Sequence, residues 1–213
     1  MTALETLTGG LLATPVARLP YQANVVVRSF VLPRAAGNVI VYNSPGIAEA
    51  ADDLRALGGA TRLLINHGHE GMYGEPGVDV PVFVHDLDRA ELGLAVAGTF
   101  TDRHTIDDDL EVIPTPGHTA GTTSYLWDSG EHRYLFTGDF VWIENGEWKA
   151  VVLDPALRGS YLDSLSLIRD LDFDVLVPWG TTDDSPSIDV TTPEVARSRI
   201  DAIIERVRTG GSR

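Results

Sequence analysis

Thr115-Pro116-Gly117-His118-Thr119-Ala120-Gly121-Thr122-Thr123 sets a histidine in a turn between two runs rich in apolar and β-branched residues, Glu111–Ile113 and Thr122–Trp127. Proline and glycine punctuate the turn, and the flanking runs read as strands. Two other stretches have the same form. Arg62-Leu63-Leu64-Ile65 gives way to Asn66-His67-Gly68-His69, and Leu135-Phe136-Thr137 gives way to Gly138-Asp139. Each puts a polar side chain where a buried strand becomes a loop, the place where binding and catalytic groups collect. His67 and His69 are separated by one residue, so on an extended segment both rings point to one side. With His118 and Asp139 they make a nitrogen- and oxygen-donor set suited to zinc or iron. One His-x-His pair carries little weight; three such strand ends in one chain carry much more.

Working outward, Asn24–Leu32 and Asn38–Tyr42 read as strands joined by a hairpin-like Pro33–Gly37 connection. Ser44-Pro45-Gly46 opens a helix to about Leu57, with Ser44 as its cap and Gly58-Gly59 as its end. Strands come next at Arg62–Ile65 and Val80–His85, then a short helix at Leu87–Leu94. Further strands are expected at Glu111–Ile113, Thr122–Trp127, Tyr134–Phe136 and Ala150–Leu153. A helix at Ser160–Leu171 carries an apolar stripe. A strand at Val175–Val177 and a last helix from Thr192 to Val207 complete an alternating α/β layered fold, read as one domain over residues 1–213.

Composition narrows the chemistry. The 213 residues include 16 basic and 31 acidic side chains, a net charge of −15. This excludes a basic nucleic-acid footprint and disfavours anionic membranes. Twenty Asp, eleven Glu, fifteen Arg and the single Lys149 fit either a salt-rich cytoplasm or a GC-rich genome. The absence of cysteine removes disulfides, thiolate ligands and a cysteine nucleophile. The stretch from Met1 to Leu12 has no basic region ahead of its apolar residues, and no apolar run approaches membrane-spanning length. A soluble, cytoplasmic protein acting on a small molecule is expected, with no reading of its oligomeric state.

The segments HGHEGMYG, TPGHTAG and LFTGD, in this order and spacing, resemble three signature motifs of the metallo-β-lactamase superfamily, which includes the glyoxalase II hydrolases. The resemblance spans about Ala23 to Gly180 and implies a four-layer αββα sandwich with a metal site at one edge. It also shows what is missing. The family's His-x-His-x-Asp-His reads here His67-Gly68-His69-Glu70-Gly71-Met72, so Gly71 and Met72 stand at two positions that serve a second metal. The later histidine turn is Val177-Pro178-Trp179-Gly180-Thr181, which has none. The resemblance therefore implies half of a two-metal site: one divalent ion, zinc favoured over iron, on His67, His69, His118 and Asp139.

Three activities are compatible with such a site. A single ion activating water would cleave an ester, thioester or lactone, with Asp139 binding the metal or the water. The family's water-positioning Asp is Gly71 here, which leaves Asp183, Asp184, Tyr73 or Glu70 as candidates, although Glu70 on an extended segment should point away from the ligand face. Alternatively His67, His118 and Asp139 form a two-histidine, one-carboxylate face for an iron oxygenase acting on sulfur compounds. In the third reading the site is non-catalytic, and Trp179 and Met72 fill the lost half. His85 reads as structural, His104 and His132 as exposed turn residues, Asp107–Asp109 as a solvated turn, and Trp127, Trp142 and Trp148 as core.

Overall fold

The computed structural model describes residues 2–211. Among them the strands form three sheets. The first runs Glu5–Thr6, Leu12–Ala13, Phe30–Leu32, Val39–Val41, Arg62–Leu64, Val82–His85, Gly98–Phe100. The second runs His104–Ile106, Leu110–Pro114, Thr123–Asp128, Arg133–Phe136, Val175–Val177, Asp189–Val190. A five-stranded third sheet joins Glu147–Ala150, Val141–Glu144, Gly180–Thr182, Gln22–Val27 and Ala17–Leu19.

The layering comes from the two-residue period of strands. In Phe30-Val31-Leu32 and Val39-Ile40-Val41 the outer residues face the central core, while Val31 and Ile40 join Ile47 and Leu54 beneath the helices Gly46–Glu49 and Ala51–Ala56. In the second sheet Tyr125, Trp127, Tyr134, Phe136, Val175 and Val177 face the same centre. Leu126, Leu135 and Leu176, on its other face, pack under the helices Arg158–Arg169 and Pro193–Arg208. Every central strand is apolar on both faces because each is covered twice. Helix, sheet, sheet, helix is the expected αββα sandwich. No helix among the described residues is long and apolar enough to cross a membrane.

Several local expectations need correction. Residues 24–32 are not one strand. The chain leaves the third sheet at Val27 and enters the first at Phe30, with Arg28-Ser29 as the crossover, so an apolar run hides a change of sheet. Ser44 does not cap its helix; its hydroxyl bonds Ser29 Oγ at 2.7 Å. Residues 87–94 hold only a 3-10 turn, Asp86–Asp88, and one helical turn, Arg89–Leu92. The strand expected at 150–153 is a hairpin, Val141–Glu144 with Glu147–Ala150, turned at Asn145 and Gly146, both at positive φ. Asn-Gly is the residue pair that favours such turns. Thr192 does cap the last helix, accepting from the Val195 amide at 3.4 Å. Trp127, Trp142 and Trp148 are buried.

Tyr42 ties the two main sheets together where the motif loops emerge. It sits at φ 69, unusual for a non-glycine residue. Its hydroxyl donates to the Val177 carbonyl at 2.6 Å and accepts from the Gly138 amide at 2.8 Å. Tyr42→Phe leaves the Gly138 amide without its acceptor, while the Val177 carbonyl keeps the Thr137 amide at 3.1 Å, and is expected to cost about 1–3 kcal/mol in urea unfolding. Unchanged stability would show that the hydroxyl does not join the sheets.

Candidate metal centre

Asn66 lies just past the strand Arg62–Leu64 and organises the loop that carries the first two histidines. Its amide nitrogen donates to the carbonyls of Thr123 and, at 3.2 Å, Thr137, each at the site end of a strand of the second sheet. With the nitrogen so committed, Oδ1 faces His67 Nδ1 at 2.9 Å and must accept from it. His67 is therefore protonated on Nδ1. Its Nε2, completely buried, has no hydrogen-bond partner among the described residues.

His118 is held by the same logic: its Nδ1 donates to the Val151 carbonyl at 2.9 Å, which leaves Nε2 without a proton. His69 Nε2 lies 3.2 Å from Glu91 Oε1. His69 Nδ1 stands 3.2 Å from His118 Nε2, within hydrogen-bond distance, so without a cation the Nδ1–H tautomer of His69 donates to His118. One nitrogen from each ring falls in a cluster whose members all lie within 4.8 Å. Gathered this closely, three imidazole nitrogens offer a ready ligand set for a cation. Nitrogens bound at zinc–imidazole distance around a tetrahedral ion would be about 3.3 Å apart. The donor set thus fits a divalent ion, with the outer nitrogens of His67 and His118 fixed by acceptors, as is usual for ligating imidazoles. Burial lowers His67 to about 3 and His118 to about 4, so both rings stay neutral.

Asp139 lies beside this cluster, its Oδ2 at 3.6 Å from His67 Nε2 and 3.9 Å from His118 Nε2. Burial raises its carboxyl above the usual range, against the pull of His67 and His69. Gly138 lets the carboxylate reach this point. It sits at φ 57, and a Cβ there would fall 1.8 Å from Asn66 Oδ1.

Two buried acids that the sequence did not single out for this purpose shape the loops. After His67 the chain is not extended but turns into a 3-10 helix, Gly68–Tyr73. Glu70 consequently points into the protein. Its carboxylate accepts from the amides of Asn43 and Asn66, both at 2.7 Å, and His67 at 3.3 Å. Burial pushes this carboxyl up to about 8 against the pull of those donors. Asp88 accepts from the Gly68 amide at 2.9 Å, the Thr119 hydroxyl at 2.5 Å and the Gly121 amide at 2.8 Å. It pins the His67–His69 turn to the His118 turn. Glu91, Asp88 and Asn66 carry no motif signal; only the abrupt polar end of an apolar run marks Asn66.

A cavity of about 710 Å³ opens over His69, His118 and Asp139. The other candidate acid–base groups lie off it. Asp183 pairs with Arg18 at 2.9 Å on the surface, Asp184 is exposed, and the Tyr73 hydroxyl donates to the Arg18 carbonyl at 3.2 Å. His85 is buried and caps a turn by accepting from the Leu87 amide. His104 is exposed, whereas His132 is half-buried and paired with Asp174 at 2.7 Å, not free in a turn.

The family model described as the metallo-beta-lactamase superfamily matches residues 32–180. The chain belongs to the metallo-β-lactamase superfamily. No curated protein matches the sequence. Among solved structures, the metallo-β-lactamase from Hirschia baltica is similar at 16% identity and TM-score 0.66, covering 94% of this chain and 96% of that one. The Pontibacter korlensis metallo-β-lactamase aligns at 17% identity and TM-score 0.64, over 96% and 98%. GOB-18 from Elizabethkingia meningoseptica aligns at 14% and 0.56, over 92% and 89%. At such identities the likeness establishes the fold.

The resemblance implies a second-metal carboxylate at position 71, and here backbone closes that position. A Cβ on Gly71 would sit 1.8 Å from the Leu92 carbonyl oxygen, so no side chain fits there. Trp179 is buried, donates from Nε1 to the Asn43 carbonyl at 2.9 Å, and stacks edge-on to His67 with centroids 5.3 Å apart. Met72 is not packed into a closed space, contrary to one expectation from the sequence, since it is 42% exposed and lines the cavity.

The tautomers and the closed half-site are each open to measurement. Long-range nitrogen–proton NMR of the metal-free protein is expected to show His67, His69 and His118 all protonated on Nδ1. Burial disfavours the charged ring, so His67 and His118 should not titrate between about pH 8 and 5, where a free imidazole would. Gly71→Asp, which restores the family residue, is expected to lower stability by about 1–3 kcal/mol through overpacking, with no second metal equivalent gained in elemental analysis.

Proposed function

We propose that this chain is a single-domain, mononuclear metallohydrolase that cleaves an ester, thioester or lactone of a small molecule with water. The observation that carries the reading is the convergence of one nitrogen from each of three imidazoles within 4.8 Å, with His67 and His118 held by acceptors on their opposite nitrogens. His67, His69 and His118 would hold the ion, and three histidines are a sufficient catalytic zinc set. A divalent ion bound there supplies Lewis acidity and lowers the pKa of water towards about 7.

The chain's own contribution is position and proton handling. His67 and His118 stay neutral at working pH, so protons do not compete for their donor atoms. Asp139 Oδ2, next to both, is placed to accept a hydrogen bond from the attacking water or to join the ligand set. Its raised carboxyl makes it a better proton acceptor than a surface aspartate. Water's oxygen joins the acyl carbon, the bond to the alcohol or thiol breaks, and the leaving group takes the proton.

An iron oxygenase using His67, His118 and Asp139 is the competing reading, favoured by the closeness of Asp139 Oδ2 to both Nε2 atoms. Elemental analysis of protein purified without added metal separates the two. We expect about one zinc per chain, lost with ester hydrolysis in His118→Ala. Two ions per chain, or unchanged metal in that variant, would overturn the half-site. Bound iron with O₂ uptake would favour the oxygenase.

A further inference from the structure

The cavity over the histidines has a one-sided chemistry. Its acidic lining residues are Glu91 and Asp139, and among the described residues no arginine or lysine lines it. The nearby Arg18 guanidinium is committed to the Ala23 carbonyl and Asp183. Glu91 is held in place by His69 and yet half-exposed, its side chain 51% accessible. The remaining walls are apolar, with Leu19, Val25, Met72, Leu94, Val151 and Leu153 among them. Met72 and Leu153 are exposed, as is Tyr21, which also lines the cavity and is 70% accessible. Large apolar side chains left in water around one concavity mark a ligand surface.

Charge decides which ligand. A carboxylate or phosphate desolvated against these walls would have no cation to pair with and two carboxylates close by. It would also approach against a net charge of −15. An ion on the histidines can offset negative charge at the scissile bond but not a second anionic group along the walls. We propose that the substrate is an uncharged amphiphile, an ester or lactone bearing an apolar chain and no carboxylate or phosphate. The nature of the bond rests on the hydrolase reading; the class of ligand rests on the cavity alone.

Isothermal titration of the full-length protein as purified, with octanamide, butyramide and octyl sulfate, tests the ligand class. Each buried methylene should tighten binding about three- to fourfold, so octanamide is expected to bind at least about tenfold tighter than butyramide. Octyl sulfate, of equal chain length, is expected to bind at least about tenfold more weakly than octanamide. Leu94→Arg, checked for folding by circular dichroism, should narrow that gap by adding the missing cation. Octyl sulfate binding as tightly as octanamide, or butyramide binding as tightly, would overturn the proposal. Turnover of p-nitrophenyl octanoate and acetate runs alongside. Preferential octanamide binding with no turnover of either ester supports the ligand class and sinks the hydrolase. Turnover without any chain-length preference in rate or binding sinks the ligand class and leaves the hydrolase standing.

Discussion

The bonds made by the Asn66 side chain set the chemistry of the site. Its amide nitrogen binds two carbonyls of the second sheet, while its own backbone belongs to the end of the first. The carboxamide thus joins the two sheets at the edge where all three motif loops emerge. Because its nitrogen is spent on those carbonyls, its oxygen can only accept from His67. One side chain therefore sets the distance between sheets and the tautomer of the most deeply buried imidazole. The left-handed Gly138 belongs to the same arrangement, since any Cβ there would displace the carboxamide. Asp139 and His67 reach one another because a glycine gives way to an asparagine.

Around this clamp, buried carboxylates do the work that regular structure cannot. Loops at a sheet edge leave backbone amides unpaired, and each buried one must find an acceptor. Glu70 collects three such amides, and Asp88 collects two with a hydroxyl. The surplus of acid over base is thus not all surface. Glu70 and Asp88 fix the motif loops, and Glu91 and Asp139 stand against the histidines, where the sequence alone gave a firm role only to Asp139.

The fold was legible because its signals are periodic and local. Alternating apolar residues in Phe30–Leu32, Val39–Val41 and Thr123–Asp128 state both faces of a doubly covered sheet. The histidines and Asp139 were legible because each closes a strand. The features that escaped depend on pairing at a distance. The switch of sheets at Arg28-Ser29 lies inside an unbroken β-branched run, which reads as one strand whichever sheet receives it. The turn after His67 escaped because Gly68 and Gly71 permit a compact 3-10 path that His-x-His spacing does not announce, and with it went the inward orientation of Glu70. Glu91 is 22 positions from His69, and nothing local marks one helical glutamate among eleven.

The one-turn helix Arg89–Leu92 connects what the site keeps with what it has lost. Glu91 leans over Gly68, where a Cβ would meet its side chain at 2.8 Å, and from there reaches His69 Nε2. One residue further, the Leu92 carbonyl presses on Gly71 so closely that no side chain can stand there. The approach that sets Glu91 against His69 is the approach that excludes a side chain at residue 71. Moving the helix away to admit a side chain at residue 71 would also withdraw Glu91 from His69. The surroundings of His69 and the space at residue 71 are thus coupled through one short helix.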